Sequence, residues 1–141
     1  MESDIERAGR LVLASKYVIG LTGAGISVES GIRPFRGPGG LWTERGEPPM
    51  DGYQRFLADP KAHWEQRIKG GGLAAELSSA LKVAKPNPAH YALAELEALG
   101  VLRCLITQNV DNLHRAAGSK KVVEIHGNFL KLRCIQCHSR Y

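Results

Sequence analysis

The sequence lacks most of the features that would assign it to a special class of protein. It has three cysteines in 141 residues, and its aromatic content is 6%. The longest apolar runs, residues 11–14 and 17–21, are far shorter than the roughly 20 residues that a membrane-spanning helix needs. No basic and then apolar leader with a cleavage site opens the chain. These absences predict a cytoplasmic protein that needs no disulfides and does not bind a membrane.

The charge of the chain favours no particular partner strongly. Nineteen Lys and Arg against 14 Asp and Glu give a net charge of +5, which suits an anionic partner such as a phosphate-bearing cofactor or nucleic acid. The basic residues are scattered, however, apart from a cluster within residues 131–140, and no basic run marks a nucleic-acid arm. The pattern therefore favours an ordinary solvated surface.

Helix and strand signals alternate along the chain. Apolar, β-branched runs predict three strands covered on both faces, at residues 17–22, 101–107 and 122–126. Capping signatures predict helices that begin after Ser3, Asp59 and Asn87, with shorter helices at 73–83 and 112–117. Strands separated by helices indicate an α/β fold with a parallel sheet.

Residues 31–51 hold four prolines and several glycines, and this composition predicts a loop without regular structure. A loop of this length inside a compact domain is uncommon and is usually functional, often as a lid or binding loop. The alternative is a surface insertion without a function. The aromatic residues of the segment argue that it is ordered.

Unusual residues follow each predicted strand. In an open parallel sheet, ligands bind beyond the carboxyl ends of the strands. Residues 23–25 follow the first strand, Gln108, Asn109 and Asp111 follow the second, and His126 ends the third. We therefore expect these three strand ends to form one crevice.

Each of these groups also has a plainer interpretation. The glycines at 23 and 25 admit a pyrophosphate close to the backbone, or they form a tight turn. Val28 stands where a dinucleotide fingerprint has its third glycine, which disfavours a classical dehydrogenase. Asn109 and Asp111 bind a ligand, or they cap the helix that begins near Asn112. His126 is a general base, or it is a hydrogen-bonded structural residue.

The cysteine spacing indicates metal binding. Cys134 and Cys137 can present two thiolates to one zinc ion, which is half of a four-ligand structural site. Together with His138 they also fit the pattern of covalent haem attachment, but that attachment occurs in exported proteins. Cys104 lies among apolar residues and is predicted to be a small buried hydrophobe.

Taken in order, these motifs resemble those of the sirtuins, which are NAD-dependent protein deacylases. The matching segments are Gly23-Ala24-Gly25-Ile26-Ser27, Glu29-Ser30-Gly31-Ile32, Phe35-Arg36-Gly37, Gly40-Leu41-Trp42, residues 107–114, Glu124-Ile125-His126-Gly127 and the cysteine pair. The resemblance extends over nearly the whole chain. It implies a Rossmann-like NAD-binding domain at residues 1–35 and 86–127, a cofactor loop with a helical module at 36–85, and the first half of a zinc ribbon at 128–141.

The resemblance also implies a role for each candidate residue. Gly23, Ala24 and Gly25, with Ser27, would hold NAD at its pyrophosphate, and the Phe35–Arg36 loop would close over the cofactor. Gln108, Asn109 and Asp111 would surround the ribose and the nicotinamide. His126 would be the base, with Asn109 and Asp111 as further catalytic residues. Cys134 and Cys137 would bind structural zinc.

In the chemistry of this family, the acyl oxygen of an acylated lysine attacks the nicotinamide ribose. The products are nicotinamide, O-acyl-ADP-ribose and deacylated lysine. The implied partners are acylated-lysine proteins, with chromatin or nucleic-acid-binding proteins as candidate substrates. Two alternatives stay open, a non-catalytic fragment that binds nucleotide or protein, and an NAD-dependent mono-ADP-ribosyltransferase.

The chain departs from the family pattern at two places. The usual Gly-Ile-Pro order is replaced by Gly31-Ile32-Arg33-Pro34, which puts in doubt the polar contact normally made just before Phe35 and makes Arg33 a candidate substitute. The chain also stops at Tyr141, before the second cysteine pair and the later Rossmann strands. We therefore expect these 141 residues alone to be inactive, to fold poorly and to leave at least one face or edge of the sheet uncovered. No Tyr-x-x-Arg pair follows Trp64, and this absence favours simple acetyl-like groups.

Overall fold

A computed structural model describes residues 2–141, with only the backbone of residues 73 and 74. The chain divides into two compact units. The first unit consists of Met1–Ser30 and Lys85–Tyr141, and the second of Gly31–Ala84. All three strands lie in the first unit, and the regular structure of the second unit is helical. No helix within the described part of the chain is long and apolar enough to span a bilayer.

The sheet of the first unit is parallel, as the sequence predicts. It consists of β1 (Val18–Thr22), β2 (Leu102–Thr107) and β3 (Val122–Glu124), in the order β1-β2-β3. Thr22 pairs with Thr107, which pairs with Glu124, so the three strands end in one row. The third strand is two residues shorter than predicted, because the chain turns after Glu124 and the Gly127 N–H donates to its carbonyl (3.2 Å).

Three helices begin after the capping residues that the sequence predicts, Ser3, Asp59 and Asn87. The described helices are α1 (Asp4–Ala14), α2 (Leu41–Arg45), α3 (Gly52–Ala58), α4 (Pro60–Lys69), α5 (Gly72–Val83), α6 (Pro88–Ala98) and α7 (Leu113–Ala116), with a 3-10 helix at Ala24–Ser30. At α1, the Ser3 hydroxyl accepts the Glu6 N–H, and the Glu6 carboxylate accepts the Ser3 N–H. The Asp59 carboxylate accepts the Ala62 N–H at the start of α4. These caps confirm the predicted starts, because they satisfy backbone donors that a helix leaves free.

The prediction that residues 31–51 form no regular structure is wrong at α2. The carbonyls of Pro34 and Phe35 accept the N–H groups of Leu41 (2.9 Å) and Trp42 (2.8 Å). These bonds close the loop and supply partners for the first turn of α2. Gly40 permits the closure, since a Cβ there would lie 2.8 Å from a backbone atom of Arg36. Sequence patterns reveal such a closure poorly, because it joins backbone groups seven residues apart.

The core of the first unit lies on one face of the sheet. Leu102, Leu105 and Leu113 are 3%, 1% and 3% exposed, and α6 packs against both β2 and α7. On the opposite face Ile19 and Leu21 are more than half exposed. The prediction of strands covered on both faces is therefore wrong for this chain, whereas the predicted uncovered face is observed.

We predict that Leu105→Ala lowers the free energy of unfolding of the 141-residue chain by about 2–5 kcal/mol, because it leaves a cavity under β2. Leu21→Ala, on the exposed face of β1, should cost less than about 1 kcal/mol. Urea titrations followed by circular dichroism measure both values. Equal losses for the two variants would contradict the placement of the core.

Candidate functional site

Ser27, Asn109 and Asp111 form a hydrogen-bonded cluster at the carboxyl ends of β1 and β2. The Asn109 side-chain amide donates to the Gly23 carbonyl and to the Ser27 hydroxyl, both at 3.1 Å. The Ser27 hydroxyl in turn donates to Asp111 Oδ2 at 2.7 Å. Ser27 is 1% exposed, whereas Asn109 and Asp111 are half-buried. The structure thus brings together residues that the sequence places 84 positions apart.

The capping interpretation of Asp111 is confirmed, and ligand binding by this residue stays a prediction. Its Oδ1 accepts the Leu113 N–H at 2.9 Å and so caps the start of α7, while its Oδ2 binds Ser27. Asn112 adopts a left-handed conformation (φ 66°), which asparagine tolerates better than most residues. The Asn109 N–H is held by the Thr107 hydroxyl at 3.0 Å. Hydrogen bonds therefore fix the segment after β2 at Asn109 and Asp111.

The backbone beside this cluster is open to a ligand. Gly23 and Gly25 both have negative φ, so a left-handed turn does not explain them. A Cβ on Gly25 would have no atom of the structure within 4 Å, whereas one on Gly23 would lie 3.5 Å from the amide nitrogen of Gln108. The space next to Gly25 is therefore free, and the residues fit a group that approaches the main chain closely, as a nucleotide pyrophosphate does.

Two buried histidines lie in the same unit, and the sequence assigned a role to neither. His90 and His114 are 0% and 2% exposed, and their ring centroids are 4.8 Å apart. His114 Nε2 shares a hydrogen bond with the Thr22 hydroxyl (2.8 Å), and His90 Nδ1 accepts the Asn87 N–H (3.3 Å). The other nitrogen of each ring has no hydrogen-bond partner in the part of the chain that is described.

Burial lowers the pKa of both histidines. The pKa of His114 falls to about 4, first because its ring is desolvated and then because His90 lies beside it, while Asp111 acts in the opposite direction. The pKa of His90 is lowered by desolvation as well, against the same Asp111 charge. Both rings are therefore neutral at pH 7 and act as packed polar groups next to the cluster.

Asn87 is a structural link that the sequence identified only as a helix cap. Its side-chain amide donates to the Ile26 carbonyl (2.7 Å) and to the Ser30 hydroxyl (3.0 Å). Its Oδ1 accepts the Ala89 N–H at the start of α6 (3.0 Å). A single buried side chain thus ties the 3-10 helix after β1 to α6. Sequence spacing could not reveal this tie, because the partners are about 60 residues apart.

His126 lies in the turn after β3, and its side chain is exposed. Within residues 2–141, no hydrogen bond joins its imidazole to the cluster or to any other group. Gln108, also exposed, is anchored through its N–H to the Thr22 carbonyl (3.0 Å). The structure thus places both predicted residues at the carboxyl edge of the sheet with their side chains free to meet a ligand.

Phe35 and Arg36 belong to the second unit and interact there with Trp42. The Phe35 and Trp42 rings are 4.7 Å apart, and the Arg36 guanidinium lies 4.7 Å from the centre of the Trp42 ring. Arg36 also pairs with Glu47 at 2.8 Å, and this hydrogen bond lowers the pKa of that carboxyl. The aromatic residues do order the loop, as expected.

Arg33, which departs from the family pattern, contacts groups of its own unit. Its guanidinium donates twice to the Gly39 carbonyl, at 2.9 and 3.1 Å, and forms ion pairs with Glu44 and Glu76. Arg45 also pairs with Glu76 (2.9 Å). Arg33 therefore joins the loop to α2 and α5.

The cysteine pair lies on a tight hairpin. Leu132 and Tyr141 exchange two backbone hydrogen bonds, and the Cys134 N–H donates to the Ser139 carbonyl (2.9 Å). His138 closes the turn with a positive φ of 61°. The described residues contain no group of three or more His, Cys, Asp or Glu side chains that could hold a metal ion. Two thiolates are half of the ligand set that a tetrahedral zinc site needs, and zinc binding by this pair stays a prediction. Cys104 is half-buried.

The structure is that of an α/β protein with a polar cluster at the carboxyl edge of a parallel sheet. The sequence pattern of the Sir2 family matches residues 23–141. The chain therefore belongs to the Sir2 family, the sirtuins.

Relatives and solved structures agree with this assignment. The chain is 44% identical over its full length to NAD-dependent protein deacylase 2 of Archaeoglobus fulgidus, of which it covers 53%. It is 48% identical over 133 residues to an NAD-dependent protein deacylase of Thermococcus kodakarensis, covering 94% of this chain and 49% of that protein.

Among solved structures, a mutant Sir2 homologue in complex with ADP-ribose matches all of the chain, with a TM-score of 0.76 and 43% identity. The chain covers 53% of that structure. A Sir2 complex with a p53 peptide and NAD+ matches 99% of the chain (TM-score 0.73, 37% identity) and is covered to 52%. The chain thus spans about half the length of the relatives that it matches.

We predict that the buried histidines make the chain less stable as the pH falls from about 6.5 towards 4. Within this window His114 binds a proton in the unfolded state but not in the folded state. The free energy of unfolding therefore decreases by up to about 3 kcal/mol. Above pH 6.5 both states are neutral at this ring and the effect vanishes. Urea unfolding at pH 7.5, 6.5, 5.5 and 4.8 measures the slope.

His114→Gln should flatten this pH dependence, whereas His63→Gln, an exposed ring of α4, should leave it unchanged. Carboxylates with a lowered pKa, such as Glu47, lose their contribution only below about pH 4.5, outside the measured range. A slope that persists undiminished in His114→Gln would contradict the prediction.

Proposed function

We propose that the protein carrying this sequence is an NAD-dependent protein lysine deacylase. The observation that carries the proposal is the Ser27–Asn109–Asp111 cluster beside the open backbone at Gly25, in a chain of the Sir2 family. The names of the relatives and the ADP-ribose and NAD+ complexes of the structural neighbours support the same activity and cofactor.

The residues of this chain would bind and orient NAD in three ways. The main chain at 23–25 takes the pyrophosphate, because no atom of the structure lies within 4 Å of the place that a Cβ on Gly25 would fill. Asn109 and Asp111, fixed by their hydrogen bonds to Ser27, offer preorganised polar groups to the ribose and nicotinamide. Gln108 lies next to them. The contribution of Phe35 and Arg36 to cofactor binding rests on the family motif and stays a prediction.

NAD, when bound, would supply the ribose carbon that the acyl oxygen of the lysine substrate attacks as the bond from that carbon to nicotinamide breaks. With one water consumed, the products would be nicotinamide, O-acyl-ADP-ribose and deacylated lysine. The role of His126 is to accept the proton of a ribose hydroxyl. An imidazole suits this task because histidine titrates near neutral pH and an unpaired ring nitrogen is a free acceptor. Its exposed position in the turn after β3 leaves it free for the reaction.

The substrates we propose are proteins that carry a short acylated lysine, including chromatin or nucleic-acid-binding proteins, and the compartment we propose is the cytoplasm. The p53 peptide bound by one structural neighbour supports a protein substrate. We also propose that residues 1–141 alone are inactive, because an exposed apolar sheet face and an incomplete metal site accompany the cofactor residues.

We propose further that Cys134 and Cys137 bind structural zinc. Backbone hydrogen bonds between Leu132 and Tyr141 and from Cys134 to Ser139 close the hairpin that carries both cysteines, and their two-residue spacing suits two thiolates of one tetrahedral site. Two thiolates cannot complete such a site, so the remaining ligands would come from outside the described residues.

We predict about one zinc ion per chain in active protein that carries this sequence. Elemental analysis should find this ratio, and Cys137→Ser should release most of the metal and lower the thermal midpoint, since structural zinc contributes folding energy. Cys104→Ser, away from the hairpin, is the matched control and should retain zinc. Fully active protein without zinc would overturn the assignment.

We predict that His126→Ala in the active protein slows deacylation of an acetyl-lysine peptide by about 10²–10⁴-fold, because a general base contributes this much. Binding of NAD, measured by calorimetry, should change little. Asn109→Ala should weaken both binding and turnover, since this side chain holds Ser27 and the Gly23 carbonyl.

Three outcomes would contradict this proposal. His126→Ala with normal turnover would return His126 to a structural role. Adenylate-labelled NAD that leaves its label on protein instead of in a small product would show mono-ADP-ribosyl transfer. Binding of NAD without nicotinamide release in the presence of acylated peptide would show a non-catalytic nucleotide-binding protein.

A further inference from the structure

The turn that carries His126 is fixed by side chains on both sides of the histidine. Glu124 lies two residues before it, at the end of β3, and Asn128 lies two residues after it. The Asn128 side-chain amide donates to Glu124 Oε1 at 2.5 Å, so the two residues close the turn across its base. His126 itself makes no side-chain hydrogen bond within residues 2–141, and its position therefore depends on this closure.

The closed turn is also tied to the segment that follows β2. The Asn128 amide donates a second hydrogen bond to the Asn112 side chain (2.7 Å), and the Phe129 N–H donates to the Val110 carbonyl (2.8 Å). Asn112 and Val110 are the neighbours of Asp111 in the chain. The contacts thus connect the His126 turn directly to the backbone that holds Asn109 and Asp111.

Glu124 is the centre of these contacts. Arg115 of α7 donates to its carboxylate through Nε (3.1 Å) and Nη2 (3.5 Å), and Lys131 donates at 3.3 Å. The Glu124 side chain is 14% exposed. Burial alone would raise the pKa of Glu124, but the hydrogen bonds from Asn128 and Arg115 bring it below its ordinary value. A carboxylate that accepts from three side chains in a half-buried place is a rigid anchor, and no neutral residue of its size accepts so many bonds.

We propose that Glu124 is a positioning residue for the reaction, holding His126 in register with Asn109 and Asp111. Glu124 does not contact the reacting atoms, and it acts through the turn that it closes with Asn128. This inference rests on the proposed function, in which His126 is the base. A base must lie within hydrogen-bond reach of the proton it accepts, and a displacement of about 1 Å can cost roughly 10²-fold in rate.

The test is a double-mutant cycle in the active protein that carries this sequence. The four proteins are wild type, Glu124→Gln, His126→Ala and the double variant, and nicotinamide release with NAD and acetyl-lysine peptide is measured for each. Glu95→Gln is the matched control, because Glu95 is an exposed glutamate of α6 whose side chain makes no hydrogen bond or ion pair in the described chain. Thermal unfolding of each variant monitors the fold.

We expect Glu124→Gln to lower kcat about 10–100-fold with KM for NAD changed less than about threefold, since the turn moves but the Ser27 cluster remains. Glu124→Asp, which keeps the charge, should recover part of the rate. In the His126→Ala background, Glu124→Gln should change the residual rate less than about twofold, because the group it positions is gone. Asn128→Ala, which opens the turn without removing the carboxylate, should reproduce the loss if Glu124→Gln does not fold.

Equal losses from Glu124→Gln in both backgrounds would show a general structural role and overturn the proposal, as would a Glu124→Gln enzyme with wild-type kcat. These outcomes differ from a failure of the proposed function itself. In that case His126→Ala would be fully active, or no variant, wild type included, would release nicotinamide.

Discussion

The parallel pairing of β1 with β2 and of β2 with β3 determines where the candidate site lies. The register puts Thr22, Thr107 and Glu124 in one row, so the segments that follow the three strands begin at the same edge. Each of these residues then acts on the site through its side chain. Thr22 bonds His114, Thr107 holds the Asn109 N–H, and Glu124 closes the turn that contains His126. A slip of the register by one residue would turn all three side chains to the other face of the sheet.

Below this edge, the polar groups of Ser27, Asn109 and Asp111 are held by one another. Ser27 is almost fully buried, so its hydroxyl costs stability unless it is bonded, and it is bonded to both Asn109 and Asp111. The buried histidines beside this cluster are neutral because their rings are desolvated. A network that is satisfied internally does not need to reorganise when charge develops on a ligand, which is the condition for electrostatic stabilisation in an enzyme site.

Local signals in the sequence predicted the strands, the capped helix starts and the residues at the strand ends, because periodicity and caps depend on neighbours within four positions. The family motifs supplied the candidate roles. The interactions that these signals missed join distant positions. Asn87 shows this most clearly, since its cap for α6 was predicted but its hydrogen bonds to residues 26 and 30 were not. Likewise, α2 depends on backbone carbonyls in a proline-rich loop. The hydrogen bond of His114 to Thr22 of β1 also joins positions that are far apart in the sequence.

The cluster and the His126 turn illustrate two ways of fixing a functional side chain. Asn109 and Asp111 are fixed by hydrogen bonds that their side-chain amide and carboxylate make to neighbouring residues. Each side chain therefore keeps only part of its hydrogen-bonding capacity for a ligand. Within the described chain, His126 has no such bond at either ring nitrogen. Its position is therefore set through its backbone. The carboxylate of Glu124 and the amide of Asn128 supply that constraint from outside the imidazole, which leaves the ring itself exposed and unpaired within the described chain.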